Sequence, residues 1–280
     1  MELPKPFLVS RFSDDQQNPK INCICPGFEL KKWRFERLAA HLIDWLPDFA
    51  IRQDSLPPNI ENITDYRKLV ELAAERIYKT EKTEFRGEIG ELLLHAICRQ
   101  FSETFPAVSK VYYKDSSNDI VKGFDLVHTR YDEPSHELQL WLGEAKFFSS
   151  GTDAVADAIR SIRKHLDAGF LTSEKILLGG KLSTDTPGYA ILKSLFDRDT
   201  PLDELFQRLI VPILIAYDST VTASFEDNKS YDEALLAEMA KFQKSLGGLT
   251  TNISAYCFYV PMNSKQLLVD SFDKKLGGFA

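Results

Sequence analysis

Residues 137–148 read ELQLWLGEAKFF, and the fold turns on how that run divides between two faces. Side chains alternate along a strand, so Leu138, Leu140, Leu142, Glu144, Lys146 and Phe148 fall on one side. The three leucines mark that side as buried. Trp141 stands on the other side, which is also partly apolar, so the strand is expected in the middle of a sheet. Glu144 and Lys146 therefore continue a buried face. Charges there are costly unless they are paired or open onto a cleft. Two readings follow. One is a partly buried Glu–Lys pair at a strand end that frays into solvent, an ordinary feature of protein surfaces. The other is a metal-ligating carboxylate beside a working lysine.

Acidic partners for the second reading lie upstream. Asp125 sits in KGFDLVH (122–128), which reads as a short preceding strand. A hairpin between 123–128 and 137–148 brings it toward the GEAK end. Two carboxylates there can hold Mg²⁺, which takes oxygen ligands and keeps room for water and a substrate phosphate. Such an ion polarises the phosphate and lowers the pKa of a bound water. Lys146 would then orient or deprotonate that water, or offset charge in the transition state. FRGEIGELLL (85–94) has helical spacing, with Glu88 and Glu91 three apart on one face. They are either ordinary surface acids or carboxylates presented over the sheet. Glu91, deeper in the helix, is the closer candidate, with Glu88 as an outer or alternative ligand. Gly87 and Gly90 within this helix cost stability and point to a crowded neighbour.

The surrounding pattern is layered α/β. A strand is expected at 7–12, then a turn-rich stretch. Trp33 to Leu46 has helical spacing, and Pro47 followed by Pro57–Pro58 breaks the chain. Thr64 reads as a partial cap for a helix over 64–78. A helix at 85–101 precedes three strands, 108–113, 123–128 and 137–148. Helices follow at 153–168, near 189–195, at 202–209 and at 231–246. Leu209–Asp218 is a buried strand interrupted early by Pro212, and 253–261 is a last strand. Residues 1–60 read as a small N-terminal region that docks a partner, and 61–280 as the main domain.

The bulk numbers are those of an ordinary globular chain. Of 280 residues, 44% are hydrophobic and 27% charged, and 19 phenylalanines promise a sizeable core. A net charge of -7 argues against a nucleic-acid coat or a membrane-surface protein, but fields are local and a basic groove is compatible with it. Cys23 and Cys25 are too close for a zinc knuckle or a redox CxxC, and together with Cys98 and Cys257 they are expected to be reduced. The N-terminus lacks a basic start followed by an apolar core, and no run is long enough to cross a bilayer. A cytoplasmic protein without membrane contact is expected.

Glu91, Asp125 and Glu144-Ala145-Lys146, in this order on helix, strand and strand, resemble the PD-(D/E)xK nuclease superfamily. The helix at 153–168 matches the one that packs beside its site. Phe124 stands where that pattern often has proline. More closely, FRGEIGELLLHAICRQF (85–101), KGFDLVH and LWLGEAKFF (140–148) look like the HamA family, effector nucleases of the Hachiman anti-phage defence system. The resemblance implies a restriction-endonuclease-like core, with a mixed central sheet flanked by helices. It also implies Mg²⁺ (or Mn²⁺) as cofactor, DNA as substrate, and a HamB-like helicase partner that restrains the nuclease. Metal would fall to Asp125, Glu144 and Glu91 or Glu88, and the catalytic set would be Glu91, Asp125, Glu144 and Lys146. The alternatives are a non-catalytic subunit that binds the helicase and an RNA-directed nuclease with the same residues.

Arg160, Arg163 and Lys164 share a side of the helix that follows, with His165 alongside. They are either a solvated face or phosphate contacts for DNA. Ser149, Ser150 and Thr152 suit a phosphate or an N-cap equally. His128 is expected on the face opposite Asp125, and His95 as a core or supporting histidine.

Overall fold

The computed structural model describes residues 2–52, 55–56, 62–78, 87–109, 123–247 and 253–279. The chain opens with β1 (Val9–Asp14), β2 (Lys20–Cys25) and a small hairpin, β3 (Phe28–Glu29) and β4 (Lys32–Trp33). Helices α1 (Phe35–Ala50), α2 (Ile63–Tyr78) and α3 (Gly87–Ser102) follow, then β5 (Phe105–Pro106), β6 (Leu126–Asp132) and β7 (Glu137–Phe147). Next come α4 (Gly151–His165), α5 (Ala168–Gly179), α6 (Tyr189–Leu195) and α7 (Leu202–Arg208). The remaining elements are β8 (Leu209–Asp218), α8 (Thr220–Ala223), α9 (Asn228–Leu246), β9 (Ser254–Met262) and α10 (Lys265–Leu276).

Seven strands form one mixed sheet in the order β1-β2-β9-β8-β7-β6-β5. β2, β9, β8 and β7 run parallel, while β1, β6 and β5 pair antiparallel with their neighbours. This is the α/β, restriction-endonuclease-like arrangement expected from the strand patterns. Parallel neighbours need crossover helices, and those helices cover both faces. One core holds Leu138, Leu140, Leu142, Ile213, Ile215 and Tyr259 together with α4 and α9. The other holds Trp141, Phe147, Leu214 and Phe258 with α1, α2, α3 and α10. Strands β1 and β2 of the first sixty residues join the same sheet, and α1 packs against α3 and α10.

Several local expectations need correction. Pro47 does not end the first helix: α1 runs on to Ala50, and the Pro47 carbonyl accepts the Ile51 N–H at 3.0 Å. Burial of Leu46, Phe49 and Ala50 outweighs the one amide that proline cannot supply. Thr64 is inside α2. The cap is Asn62, whose side chain accepts the Asp65 N–H at 3.0 Å. The turn-rich stretch after β1 contains β2, and α5 and α10 are helices that the residue spacing did not predict. The expected strand over 108–113 lies largely outside the described residues.

Pro212 does not end β8: the strand is continuous and pairs with β9 through Pro212 itself, and the proline interrupts only the ladder to β7. Its ring sits against Gly143: a Cβ at Gly143 would lie 3.0 Å from Pro212 Cγ, Leu126 Cβ and Leu94 Cδ2 alike. The β7–β8 register is the same on either side of this point, but Leu142 and Gly143 make no ladder pair with Val211 and Pro212. The glycine that opens GEAK is thus the space into which a proline in a central strand fits.

Candidate active site at the open end of β6 and β7

The hairpin brings Asp125 to the GEAK segment. Leu126 pairs with Gly143 as the last rung of the ladder, and the Asp125 N–H donates to the Gly143 carbonyl at 2.9 Å. Beyond that rung the side chain takes over: Asp125 Oδ2 accepts the Ala145 N–H at 2.9 Å. The half-buried carboxylate is therefore anchored to the backbone between Glu144 and Lys146.

Glu144 and Lys146 lie on the leucine face, as the alternation requires, and both are buried. Lys146 Nζ is 2.7 Å from Glu144 Oε1 and 2.6 Å from Asp157 Oδ2, and it donates to Ser161 Oγ at 3.0 Å. Burial alone would lower the lysine pKa; Glu144 and Asp157 outweigh it and hold the pKa above the usual lysine range. Burial likewise works against the Asp157 charge, yet Lys146 and Arg160 keep that carboxyl below its usual range. His165 Nδ1 stands 3.1 Å from Glu144 Oε2, but neither atom has an aligned hydrogen bond. The His165 ring is stacked on Phe170 and meets Phe124 edge-on.

Asp157, Ser161 and His165 were not among the expected site residues. They recur every four positions on α4, so they form one stripe over the Glu144–Lys146 pair. The signal was present in the sequence as polar residues at helical spacing. Nothing in the sequence showed that this stripe, rather than the basic one, turns toward β7.

The other candidates are placed as follows. Glu88 and Glu91 are half-buried on α3, which packs on the Trp141–Phe147 face of the sheet. A Cβ at Gly90 would lie 2.8 Å from Phe147 Cβ, so this glycine does mark a crowded neighbour. Gly87 begins the helix with open space around it, and the crowding argument fails there. Among the described residues, no three His, Cys, Asp or Glu side chains gather as a ready metal cage. Arg160, Arg163 and Lys164 are exposed; Arg160 pairs with Asp157, and Lys164 Nζ lies 5.9 Å from the Phe170 ring centroid. Ser150 is the N-cap of α4, accepting the Asp153 N–H.

His95 and His128 belong to a separate buried chain. His95 Nε2 donates to Asp48 Oδ2 at 2.9 Å, since an ionised carboxylate can only accept. Its Nδ1 must then accept from His128 Nε2 at 3.1 Å, and His128 Nδ1 from the Thr104 hydroxyl at 2.8 Å. Arg99 Nε donates to the same Asp48 oxygen at 2.9 Å, and its Nη2 reaches Oδ1 at 3.4 Å. Both rings are satisfied as neutral tautomers. Burial lowers both pKa values, and the Asp48 charge does not reverse the trend.

Comparison with known proteins agrees with the resemblance in the sequence. A family model described as HamA matches residues 1–276. Anti-bacteriophage protein A of Escherichia coli (strain K12) is 24% identical over 261 residues, which cover 89% of this chain and 46% of that protein. The chain thus spans about half the length of that curated relative. No helix among the described residues is long and apolar enough to cross a membrane.

Proposed function

The chain belongs to the HamA family of anti-phage defence proteins, and from that premise we propose that it is a metal-dependent DNA endonuclease working with a helicase partner. The observation that carries the proposal is the meeting of Asp125 with Glu144-Ala145-Lys146: a carboxylate bonded to the Ala145 amide, flanked by a buried glutamate and a buried lysine.

The donor set suits a hard divalent cation. Asp125 and Glu144 offer carboxylate oxygens, and Glu144 Oε2 is buried without an aligned hydrogen bond. Mg²⁺ is commonly held by one or two carboxylates with water and phosphate completing its shell, so a larger protein cage is not required. In this proposal Asp125 and Glu144 hold the ion; Glu91 and Glu88, carried by α3 on the opposite face of the sheet, would reach it only past the end of the strands. When bound, the ion supplies charge on the scissile phosphate and a more acidic water. Lys146, with its pKa held up by two carboxylates, is suited to act as a cation that offsets developing negative charge rather than as a base at neutral pH. Arg160, Arg163 and Lys164 would take backbone phosphates on the exposed side of α4.

The test is plasmid cleavage in Mg²⁺ or Mn²⁺, with and without the helicase subunit. Wild type is expected to cut, and Asp125→Ala and Lys146→Ala to lose cleavage. Equal cleavage by all three proteins would sink the assignment, and a duplex RNA arm decides the nucleic acid. A second reading, a non-catalytic subunit that binds the helicase, is favoured by one observation: the Lys146 ammonium is already met by two carboxylates, Glu144 at 2.7 Å and Asp157 at 2.6 Å. Stable co-purification with the helicase and no cleavage under any of these conditions would establish it.

A further inference from the structure

The Lys146 ammonium has more carboxylate around it than a simple pair needs. Glu144 and Asp157 each place an oxygen within 2.7 Å of Nζ, one from β7 and one from α4, and Ser161 adds a hydroxyl at 3.0 Å. The two carboxylates differ in setting. The Glu144 side chain is 6% exposed and has a second buried oxygen without an aligned hydrogen bond. The Asp157 side chain is 23% exposed, and its second oxygen is taken by Arg160. The second Glu144 oxygen faces His165 Nδ1 at 3.1 Å without an aligned hydrogen bond, whereas both Asp157 oxygens are held by a lysine or an arginine; Glu144 is thus the less committed carboxylate.

We propose that Asp157 is a positioning residue of the site: it holds Lys146 in place when Glu144 turns from the lysine to a cation. The proposal rests on the nuclease reading above and adds to it a residue on the neighbouring helix. A cation arriving at Glu144 competes with the lysine for the same carboxylate. With Asp157 present, the ammonium keeps a counter-charge and a hydrogen bond when Glu144 leaves it, so it stays beside the site. Without Asp157, Glu144 is the lysine's one carboxylate among the described residues, and the cation must displace a buried ammonium that has nowhere to go. The one-turn spacing of Asp157 and Ser161 on α4 makes the two side chains a single cradle for Nζ.

The experiment measures Mn²⁺ binding by the full chain, without DNA, by calorimetry or by loss of the free-ion electron paramagnetic resonance signal. Folding of each variant is checked by circular dichroism. Asp157→Asn is expected to weaken Mn²⁺ binding by about tenfold or more, the scale on which groups behind a metal ligand act. Asp153→Asn, at an exposed position of the same helix, is expected to leave it unchanged, and Asp157→Glu to restore most of it. Wild-type affinity in Asp157→Asn, with binding lost in Glu144→Gln, overturns the proposal and leaves the nuclease reading standing. If Asp153→Asn reproduces the Asp157→Asn effect, the general negative charge of α4 is responsible and the proposal is also wrong. If wild type binds no Mn²⁺, or Glu144→Gln binds it normally, the reading of the site fails and the proposal falls with it.

Discussion

Replacing Lys146 with methionine tests whether the charges of GEAK are structural partners in a buried cluster. Methionine keeps the aliphatic stem and removes the ammonium, leaving two carboxylates that shared it. Glu144 is nearly inaccessible at 6% side-chain exposure, whereas Asp157 is 23% exposed and retains Arg160. Removing one partner of a buried pair costs about 3–5 kcal/mol. The more solvated, still paired Asp157 adds little to this, so the lower end, about 3 kcal/mol, is expected. For a domain of this size that corresponds to a melting point lower by about 6–12 °C. Glu144→Gln alone leaves Lys146 with Asp157 and Ser161 and is expected to cost about 1 kcal/mol. The double variant lacks the stranded glutamate charge, and its cost should be about 2 kcal/mol below the sum of the two singles. Thermal and denaturant unfolding of the four proteins at neutral pH gives this coupling directly. Additivity within about 0.5 kcal/mol would refute the argument, because it would mean that water already screens the pair. Cleavage should be absent in both proteins that lack Lys146, although the double variant regains stability, which separates loss of chemistry from loss of fold.

Two further outcomes follow from the packing. His41, His95 and His128 all have pKa values lowered by burial, that of His41 from 6.5 to about 4. The unfolded chain therefore binds protons that the folded one refuses. This contribution is fully present above pH 6.5 and is lost as pH falls through 6.5, down to about 4 for His41. The slope approaches about 1.4 kcal/mol per pH unit for each histidine. Melting at pH 7.5 and 5.5 should show the decline, and equal stability at the two values would contradict it. Gly90→Ala forces a Cβ to within 2.8 Å of Phe147 Cβ and should destabilise by about 1–3 kcal/mol, as overpacking does. Gly87→Ala enters open space and should stabilise by up to about 1 kcal/mol. Unfolding curves that place both variants on the same side of wild type would disprove the assigned helix–strand contact.

The sequence by itself determined the layered α/β class, the central position of 137–148, and the face on which Glu144 and Lys146 lie. Those readings rest on a period of two and on runs of leucine and isoleucine, which are local and survive any tertiary arrangement. It also pointed to the hairpin that carries Asp125 to the GEAK end, because two apolar stretches separated by a polar turn have few other ways to pair. Where local rules failed, distant residues had decided. Pro47 stays in a helix because its neighbours are buried, and Pro212 stays in a central strand because Gly143, nearly seventy positions earlier, leaves room for its ring. Only the tertiary structure decided what surrounds the charged pair. Helix α4 has a basic face and an Asp-Ser-His stripe, and helical spacing describes both equally well. Which of them meets β7 depends on the rotation of the helix over the sheet, set by Ala154, Ala158 and Ile162 packing into the leucine core. That rotation places Asp157, Ser161 and His165 on Glu144 and Lys146, and leaves Arg163 and Lys164 in solvent.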